Sequence, residues 1–276
     1  MASAHPIHVR AHTWLVLAIG SLAGLAMFLW PLLKSPPAGV AHHTEAPFVF
    51  VVILPLVIAV LLAELGNGGL DAKAIAMLGL LAGVGAALRL LGAGTAGIET
   101  IFFLLILAAR VYGPGFGFVL GTTTMFASAL LTGGVGPWLP FQMLGSAWVG
   151  LGAALLPRCR GRAEIILLAA YGAFSAYAFG FLLNMWFWPF GVGAFLGNGG
   201  DAGLQFVAGD AVLSNLHRFF LFTIATSTLG WDTGRAITNV VAISLLGTPV
   251  LGALRRARRR VAFHPEVAFE PAIPVS

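Results

Sequence analysis

The segment GGVGPWLPFQMLGSAWVG, residues 133–150, combines residue types that can bind a ring-bearing small molecule. Trp138 offers a large flat face with one N–H donor, and Gln142 offers an amide about one helical turn further on. The glycines and prolines around Trp138 disfavour a regular helix and predict a stiff loop. A flat aromatic face beside an amide is typical of a small-molecule site. The alternative is a tight turn whose tryptophan lies at a membrane surface.

Glu99 is the clearest ionisable side chain within an apolar stretch of the chain. A carboxylate in such a place is costly, so it is usually paired or functional. Arg89 and Arg218 are its candidate partners. The alternative is that Glu99 stabilises the first turn of a helix, where the helix dipole favours a negative charge.

The other polar residues do not form a pattern that is typical of catalysis. Asp232 precedes Arg235 by three residues, a spacing that suits a helix cap and an ion pair. His217 has no second histidine or carboxylate at ligand spacing, whereas zinc needs three or four ligands. The 10 acidic residues are scattered, and the single cysteine, Cys159, excludes a disulfide. The sequence therefore favours binding over catalysis, with no metal and no cofactor.

The elements that position these residues have the composition of a membrane protein. The chain of 276 residues is 59% hydrophobic and only 9% charged, whereas a soluble domain has about 25% charged residues. Long apolar runs with few charges are typical of segments that lipid surrounds. The net charge is +5, with arginines clustered at residues 158–162 and 255–260. No signature of nucleic-acid binding accompanies these clusters.

The apolar runs predict eight transmembrane helices, at residues 14–33, 48–65, 74–91, 98–111, 116–131, 140–156, 163–188 and 231–254. Residues 211–229 also suit a helix, but Asn215, His217 and Arg218 make a lipid crossing costly. We expect this helix to lie at the outer interface or to fold over the outer mouth of the protein. Eight crossings from a cytosolic N-terminus place both arginine clusters inside, as the positive-inside rule requires. Both termini of this multi-pass cell-membrane protein are then cytosolic.

Three motifs resemble those of a known transporter family. They are FFLLILAARVYGPGFGFVLG at residues 102–121, SALLTGGVGPWLPFQMLGSAWVG at residues 128–150, and TSTLGWDTGRAITNVVAISLLGTPVLGALRR at residues 226–256. In this order, they are similar to the substrate-binding (S) component of energy-coupling-factor (ECF) vitamin transporters. The resemblance extends from about Lys73 to Arg256.

The resemblance implies an all-α integral membrane protein with a six-helix core at residues 73–258. Residues 1–72 would then form an N-terminal tail and two extra transmembrane helices. Residues 259–276 would form a cytosolic tail, which we expect to be disordered because it contains several prolines.

The resemblance also implies that the protein captures a vitamin or related micronutrient at the outer face. Its partners would be a transmembrane coupling (T) subunit and two cytosolic ATPase subunits. The chain has no G-x-x-x-x-G-K-[ST] sequence to hold the phosphates of ATP. Energy for uphill transport would therefore come from these partners.

Members of the family contact the coupling subunit through small residues spaced four apart on the first core helix. The matching residues here are Gly79, Ala82, Gly83 and Ala86. Small residues at this spacing let two helix backbones approach closely in lipid. The alternative is that they pack within the same protein, and Gly20 and Gly24 offer a competing face of the same kind.

The family's substrate site lies near the outer surface, under loops that correspond here to residues 92–97, 133–137 and 189–231. Polar and aromatic side chains in or beside these loops are the candidate substrate-binding residues: Glu99, Trp138, Gln142, Asn184, Trp188, Asn215, His217, Arg218 and Trp231. A mouth rich in tryptophan and weakly charged suits an aromatic or macrocyclic vitamin, such as a cobalamin-like molecule, or a precursor. The alternative functions are a membrane-embedded enzyme that acts on a lipid-like substrate and a structural or assembly protein.

Overall fold

The computed structural model describes residues 11–33, 72–92, 97–196, 202–207 and 209–262. All regular secondary structure in these ranges is helical. The predicted span at residues 48–65 lies outside the described residues. The last helix continues to Ala262, into the predicted tail at residues 259–276, and residues 263–276 lie outside the described residues.

The helices are α1 Ala11–Leu33, α2 Ala72–Gly92, α3 Ile101–Tyr112, α4 Pro114–Thr132, α5 Leu139–Leu155, α6 Arg162–Leu196, α7 Val212–Thr223 and α8 Thr233–Ala262. A 3₁₀ turn at Ala202–Leu204 precedes α7, and a π-helical segment at Ile224–Asp232 joins α7 to α8. Each helix from α2 to α6 overlaps one predicted span.

Apolar composition makes several of these helices suitable for a membrane. Those long and apolar enough to cross it are Lys73–Leu90, Pro114–Thr132, Arg162–Pro189 and Val212–Arg259. Shorter apolar helices occupy Trp14–Leu29, Ile101–Tyr112 and Leu139–Leu155. The described residues therefore fit a helical membrane protein, and the number of eight crossings stays a prediction.

The predicted break before the last span is wrong. The helix runs without interruption from Val212 to Arg259, over 48 residues, through the π-helical segment. Asp232 is therefore inside a helix and does not cap one. Its side chain accepts hydrogen bonds from Ser227 Oγ at 2.8 Å and from Arg235 Nη1 at 2.9 Å. These bonds stabilise the wider turns of a π-helix, in which one residue is inserted into the α-helical ladder.

Helix α3 forms the centre of the bundle. All of its 12 residues are buried except Arg110, so this short helix is enclosed by protein instead of facing lipid. Beside it, α4 and α5 cross at Gly117 and Gly150, where a Cβ on either residue would clash with the carbonyl of the other. Small residues allow this close approach of two backbones, and packing is the main attraction between helices in lipid.

Helix α1 packs against the bundle through its small residues. Gly20 and Gly24 are buried, and a Cβ at Gly24 would clash with Leu144 on α5. Trp148 on α5 donates a hydrogen bond from Nε1 to Ser21 Oγ at 3.0 Å. The small-residue face of α1 is thus used within the protein.

One end of the bundle is closed by an ion cluster. Glu164 on α6 accepts hydrogen bonds from Arg110 on α3 at 3.2 Å and from Arg255 on α8 at 2.6 Å. Arg258 donates to the carbonyl of Val111 at 2.7 Å. We call this the arginine end. Because α2 to α6 alternate in direction, the C-termini of α2 and α4 and the N-termini of α3 and α5 meet at the opposite end.

Candidate ligand-binding site

A cavity of about 350 Å³ opens at the end of the bundle opposite the arginine end. The residues that line it come from the C-termini of α2 and α4, the loops that follow them, α5, α6 and the last helix: Arg89, Gly92, Gly97, Ile98, Glu99, Thr132, Gly134, Trp138, Gln142, Phe179, Leu183, Trp231 and Arg235. Apolar and aromatic walls with a few polar groups are typical of small-molecule sites.

Glu99 lies between two arginines in this cavity. Its Oε1 accepts a hydrogen bond from Arg89 Nε at 3.3 Å, and its Oε2 accepts one from Arg235 Nε at 2.5 Å. The Glu99 and Arg235 side chains are only 13% and 12% exposed. Arg89 also donates from Nη1 to Ser128 Oγ at 2.8 Å. The carboxylate therefore acts as an ion-pair partner, because an arginine binds each of its oxygens.

Arg235 is held from several directions. Its Nη1 donates to Asp232 Oδ1 at 2.9 Å and to the carbonyl of Ala176 at 3.4 Å. Its guanidinium carbon lies 5.0 Å from the ring centroid of Phe179 and 5.9 Å from that of Phe102. A cation over aromatic faces is attracted to their electron-rich surfaces. Arg235 is thus fixed in position before any ligand binds.

Trp138 is oriented by its own loop. Gly133 ends α4 with a φ of 65°, a left-handed conformation that glycine adopts without strain. Trp138 Nε1 donates to the carbonyl of Gly134 at 3.1 Å. The indole is 44% exposed, so a fixed aromatic face remains open at the mouth. The backbone N–H of Gln142 donates to the carbonyl of Trp138 at 3.0 Å. Gln142 therefore lies on the same wall of the cavity as Trp138.

The mouth also depends on a close contact between Gly97 and Trp231. Gly97 has a φ of 79°, and a Cβ there would clash with the carbonyl of Trp231. Only glycine satisfies both conditions easily. The Trp231 side chain is 47% exposed and adds a second aromatic face to the mouth.

The structure gathers some of the predicted residues and separates the others. Those that line the cavity are Glu99, Trp138, Gln142 and Trp231. Those that are not among its described lining residues are Asn184, Trp188, Asn215, His217 and Arg218.

Trp188 and Asn215 have structural contacts. The Trp188 ring is fully buried against Phe219 and Phe206, and its Nε1 donates to the carbonyl of Leu204 at 2.7 Å. Asn215 bonds both the N–H and the carbonyl of Val207, at 3.0 and 2.9 Å. Together they attach the segment before α7 to a small apolar cluster separate from the cavity.

The other three predicted residues also lie apart from the cavity. Arg218 pairs with Asp210 at 2.7 Å instead of with Glu99. The hydrogen bond from Arg218, with a second from the N–H of Ala211, holds the pKa of Asp210 below its usual range. His217 is exposed on α7, and Asn184 is half-buried on α6. Among the described residues, no three histidine, cysteine or acidic side chains are grouped to hold a metal.

Sequence reasoning identified Arg89 and Arg235 as ion-pair partners but missed them as site residues. Both pairs that it expected are present, Arg89 with Glu99 and Asp232 with Arg235. The available signal was the presence of an arginine inside an apolar helix, where charge is costly. Phe179 carried no such signal, because a phenylalanine is ordinary in any apolar helix.

The small residues of α2 face two directions. Ala82 and Ala86 are buried inside the bundle. Gly79 and Gly83 are exposed, with open space where a Cβ would stand. Small residues therefore lie on two faces of α2, one packed inside the bundle and one exposed among the described residues.

Comparisons with known proteins agree with the resemblance seen in the motifs. No characterised protein and no solved structure matches the chain. The family profile described as "ECF transporter, substrate-specific component" matches residues 73–230, which is more than half of the chain. The match begins at α2 and includes every lining residue of the cavity except Trp231 and Arg235. The chain belongs to the substrate-specific components of ECF transporters, a family of membrane transporter subunits.

Proposed function

We propose that this substrate-specific subunit captures a small, ring-bearing vitamin or related micronutrient in the cavity at its outer face and delivers it to the cytosol. The observation that supports this most directly is the fixed set of Trp138, Trp231, Glu99 and Arg235 around one cavity. A volume of about 350 Å³ lies near the lower limit of small-molecule sites, about 300–1,000 Å³. It suits one ring or two fused rings better than the macrocycle that the sequence allowed.

The distribution of charge supports an outward-facing cavity. Arg110, Arg255 and Arg258 lie at the arginine end, opposite the cavity. Basic residues beside membrane helices are retained on the cytosolic side. This orientation places the C-terminus in the cytosol, and an even number of crossings places the N-terminus there as well.

Energy for delivery comes, in this proposal, from a transmembrane coupling subunit and two cytosolic ATPases. The open face at Gly79 and Gly83 on α2 suits a close contact with a helix of the coupling subunit, because small residues permit such contacts in lipid. The family supplies the reason for these partners, and the missing phosphate-binding motif in the chain agrees with it.

The experiment is to express the full chain with and without the coupling subunit and ATPases of its own cell. We expect the three partners to co-purify with the chain, and mass spectrometry to find a small organic compound that it retains. Uptake of that compound into proteoliposomes should require ATP and all four subunits. A chain that holds no small compound and never assembles with the ATPases would contradict the proposal.

A further inference from the structure

The cavity carries information on the chemistry of the ligand. We propose that the ligand has no net charge and presents hydrogen-bond acceptors, such as ring carbonyl oxygens or ring nitrogens, along the edge that enters the cavity. This inference rests on the proposed function and concerns the same cavity.

The charged groups at the cavity already balance one another. Arg89 and Arg235 supply two positive charges, and Glu99 and Asp232 supply two negative charges. Each carboxylate pairs with at least one of the two arginines, and Arg235 Nε lies 2.5 Å from Glu99 Oε2. The ionised cluster is therefore neutral in the absence of ligand.

A charged ligand would disturb this balance in a poorly solvated place. The Asp232 side chain is 1% exposed, and Glu99 and Arg235 are nearly as well shielded from water. Burying a charge without a counter-charge is expensive, because low-dielectric surroundings replace its hydration poorly. An anionic group would bring a third negative charge to two arginines, and a cationic group would compete with them for Glu99. An uncharged ligand incurs neither cost.

The cavity offers donors more readily than acceptors. A guanidinium has five N–H donors and no acceptor. Through Nε and Nη1, Arg89 binds Glu99 and Ser128, and Arg235 binds Glu99 and Asp232. Among the residues that the structure describes, the Nη2 group of neither arginine has a hydrogen-bond acceptor, which leaves donors for the ligand. A ligand that satisfies them must bring acceptors.

The aromatic residues determine the shape of the ligand. The Trp138 ring is fixed by its bond to Gly134, and the close approach to Gly97 positions the backbone of Trp231. Flat faces of this kind stack on planar rings. The ligand is thus a planar ring system with an acceptor-bearing edge toward the arginines and a ring face toward the tryptophans.

The test uses the full chain in lipid nanodiscs and a low-molecular-weight extract of its own cells. The extract is passed over anion- and cation-exchange resins at pH 7, which yields anionic, cationic and uncharged fractions. We expect the uncharged fraction to raise the melting temperature by several degrees, because a ligand that binds only the folded state stabilises it. Mass spectrometry of the protein-bound compound should then show a planar ring with carbonyl or ring-nitrogen acceptors.

Matched variants test whether the rise in melting temperature comes from binding at the cavity. Trp138→Ala should lose the shift, whereas Trp14→Ala should keep it, since Trp14 on α1 is similarly exposed, at 39%, and does not line the cavity. A shift produced only by the anionic or the cationic fraction would overturn the inference and leave the proposed function intact. If no fraction produced a shift, the proposed function itself would fail.

Discussion

Glu99 and Arg235 are 136 residues apart in the sequence, and their side chains form an ion pair with Nε and Oε2 at 2.5 Å. The pair joins the connection before α3 to the first turn of α8. Arg89 on α2 pairs with the same carboxylate from the other side. The charged wall of the cavity is therefore assembled only when distant parts of the core have packed together.

Glu99→Gln should destabilise the protein strongly. The change leaves Arg89 and Arg235 facing a neutral amide, and removing one partner of a buried pair costs about 3–5 kcal/mol. Thermal unfolding in detergent measures the loss. Asp210→Asn is the control, because the Asp210–Arg218 pair is more exposed and water screens such a pair. Equal melting temperatures for the two variants would refute the structural role of Glu99.

Trp138→Ala should weaken ligand binding at least tenfold. The indole offers an aromatic face at the mouth, and burying such a contact contributes about 1–3 kcal/mol. Isothermal titration or uptake of the retained compound measures the effect. Trp138→Phe keeps a ring and should recover most of the affinity. Unchanged affinity in the alanine variant would exclude Trp138 from the site.

Gly97→Ala should distort the mouth. A positive φ costs an alanine about 1–2 kcal/mol, and here the new methyl group would also clash with the carbonyl of Trp231. Gly161→Ala separates the two effects, since Gly161 has a φ of 62° and open space around its Cβ position. We expect both variants to lose stability and only Gly97→Ala to lose ligand affinity. Equal ligand affinities would show that the Gly97–Trp231 contact does not shape the mouth.

The double variant Gly79→Leu, Gly83→Leu should lose its partners and keep its ligand. Among the described residues, nothing lies near the place of a Cβ at either position, so we expect folding to tolerate the larger side chains. A helix that packs closely against this face would be displaced by them. Co-purification with the coupling subunit measures the loss. Ala170→Leu, at an exposed position on α6, serves as the control, and unchanged co-purification of the double variant would place the contact elsewhere.

Gly24→Leu should detach α1 from the bundle. A Cβ at this position already clashes with Leu144, and Trp148 lies beside it. We expect a lower melting temperature and faster proteolysis in the segment before α2, because overpacking costs about 1–3 kcal/mol. Ala18→Leu, on the exposed face of the same helix, should have little effect. Equal stability of the two variants would mean that α1 does not depend on this contact.

Local chemistry explains what the sequence could predict. Glycine and proline around Trp138 indicate a turn wherever they occur, so the loop and the amide of Gln142 were found from residues 133–150 alone. The pairs of Asp232 with Arg235 and of Arg89 with Glu99 join residues close in sequence. Arg235 and Glu99 are far apart in the sequence, and the spacing of residues along the chain does not predict their ion pair.

The differences between the expectations and the structure have physical reasons as well. Trp188 looks like Trp138 in the sequence, yet one indole fills an apolar cluster and the other borders the cavity. Gly230 and Trp231 look like the end of one helix and the start of another. The helix continues through these two residues because the hydrogen bonds of Asp232 stabilise a π-helical segment. Such segments have no simple sequence pattern.

The docking of α1 has a consequence for assembly. With Gly24 packed against Leu144 and Trp148 of α5, α1 occupies this side of the bundle, and another helix cannot reach the α5 backbone from that direction. Gly79 and Gly83 are exposed, and no described residue lies near the place of a Cβ on either. Helix α1 thus restricts the sides from which a neighbouring helix can pack against α5.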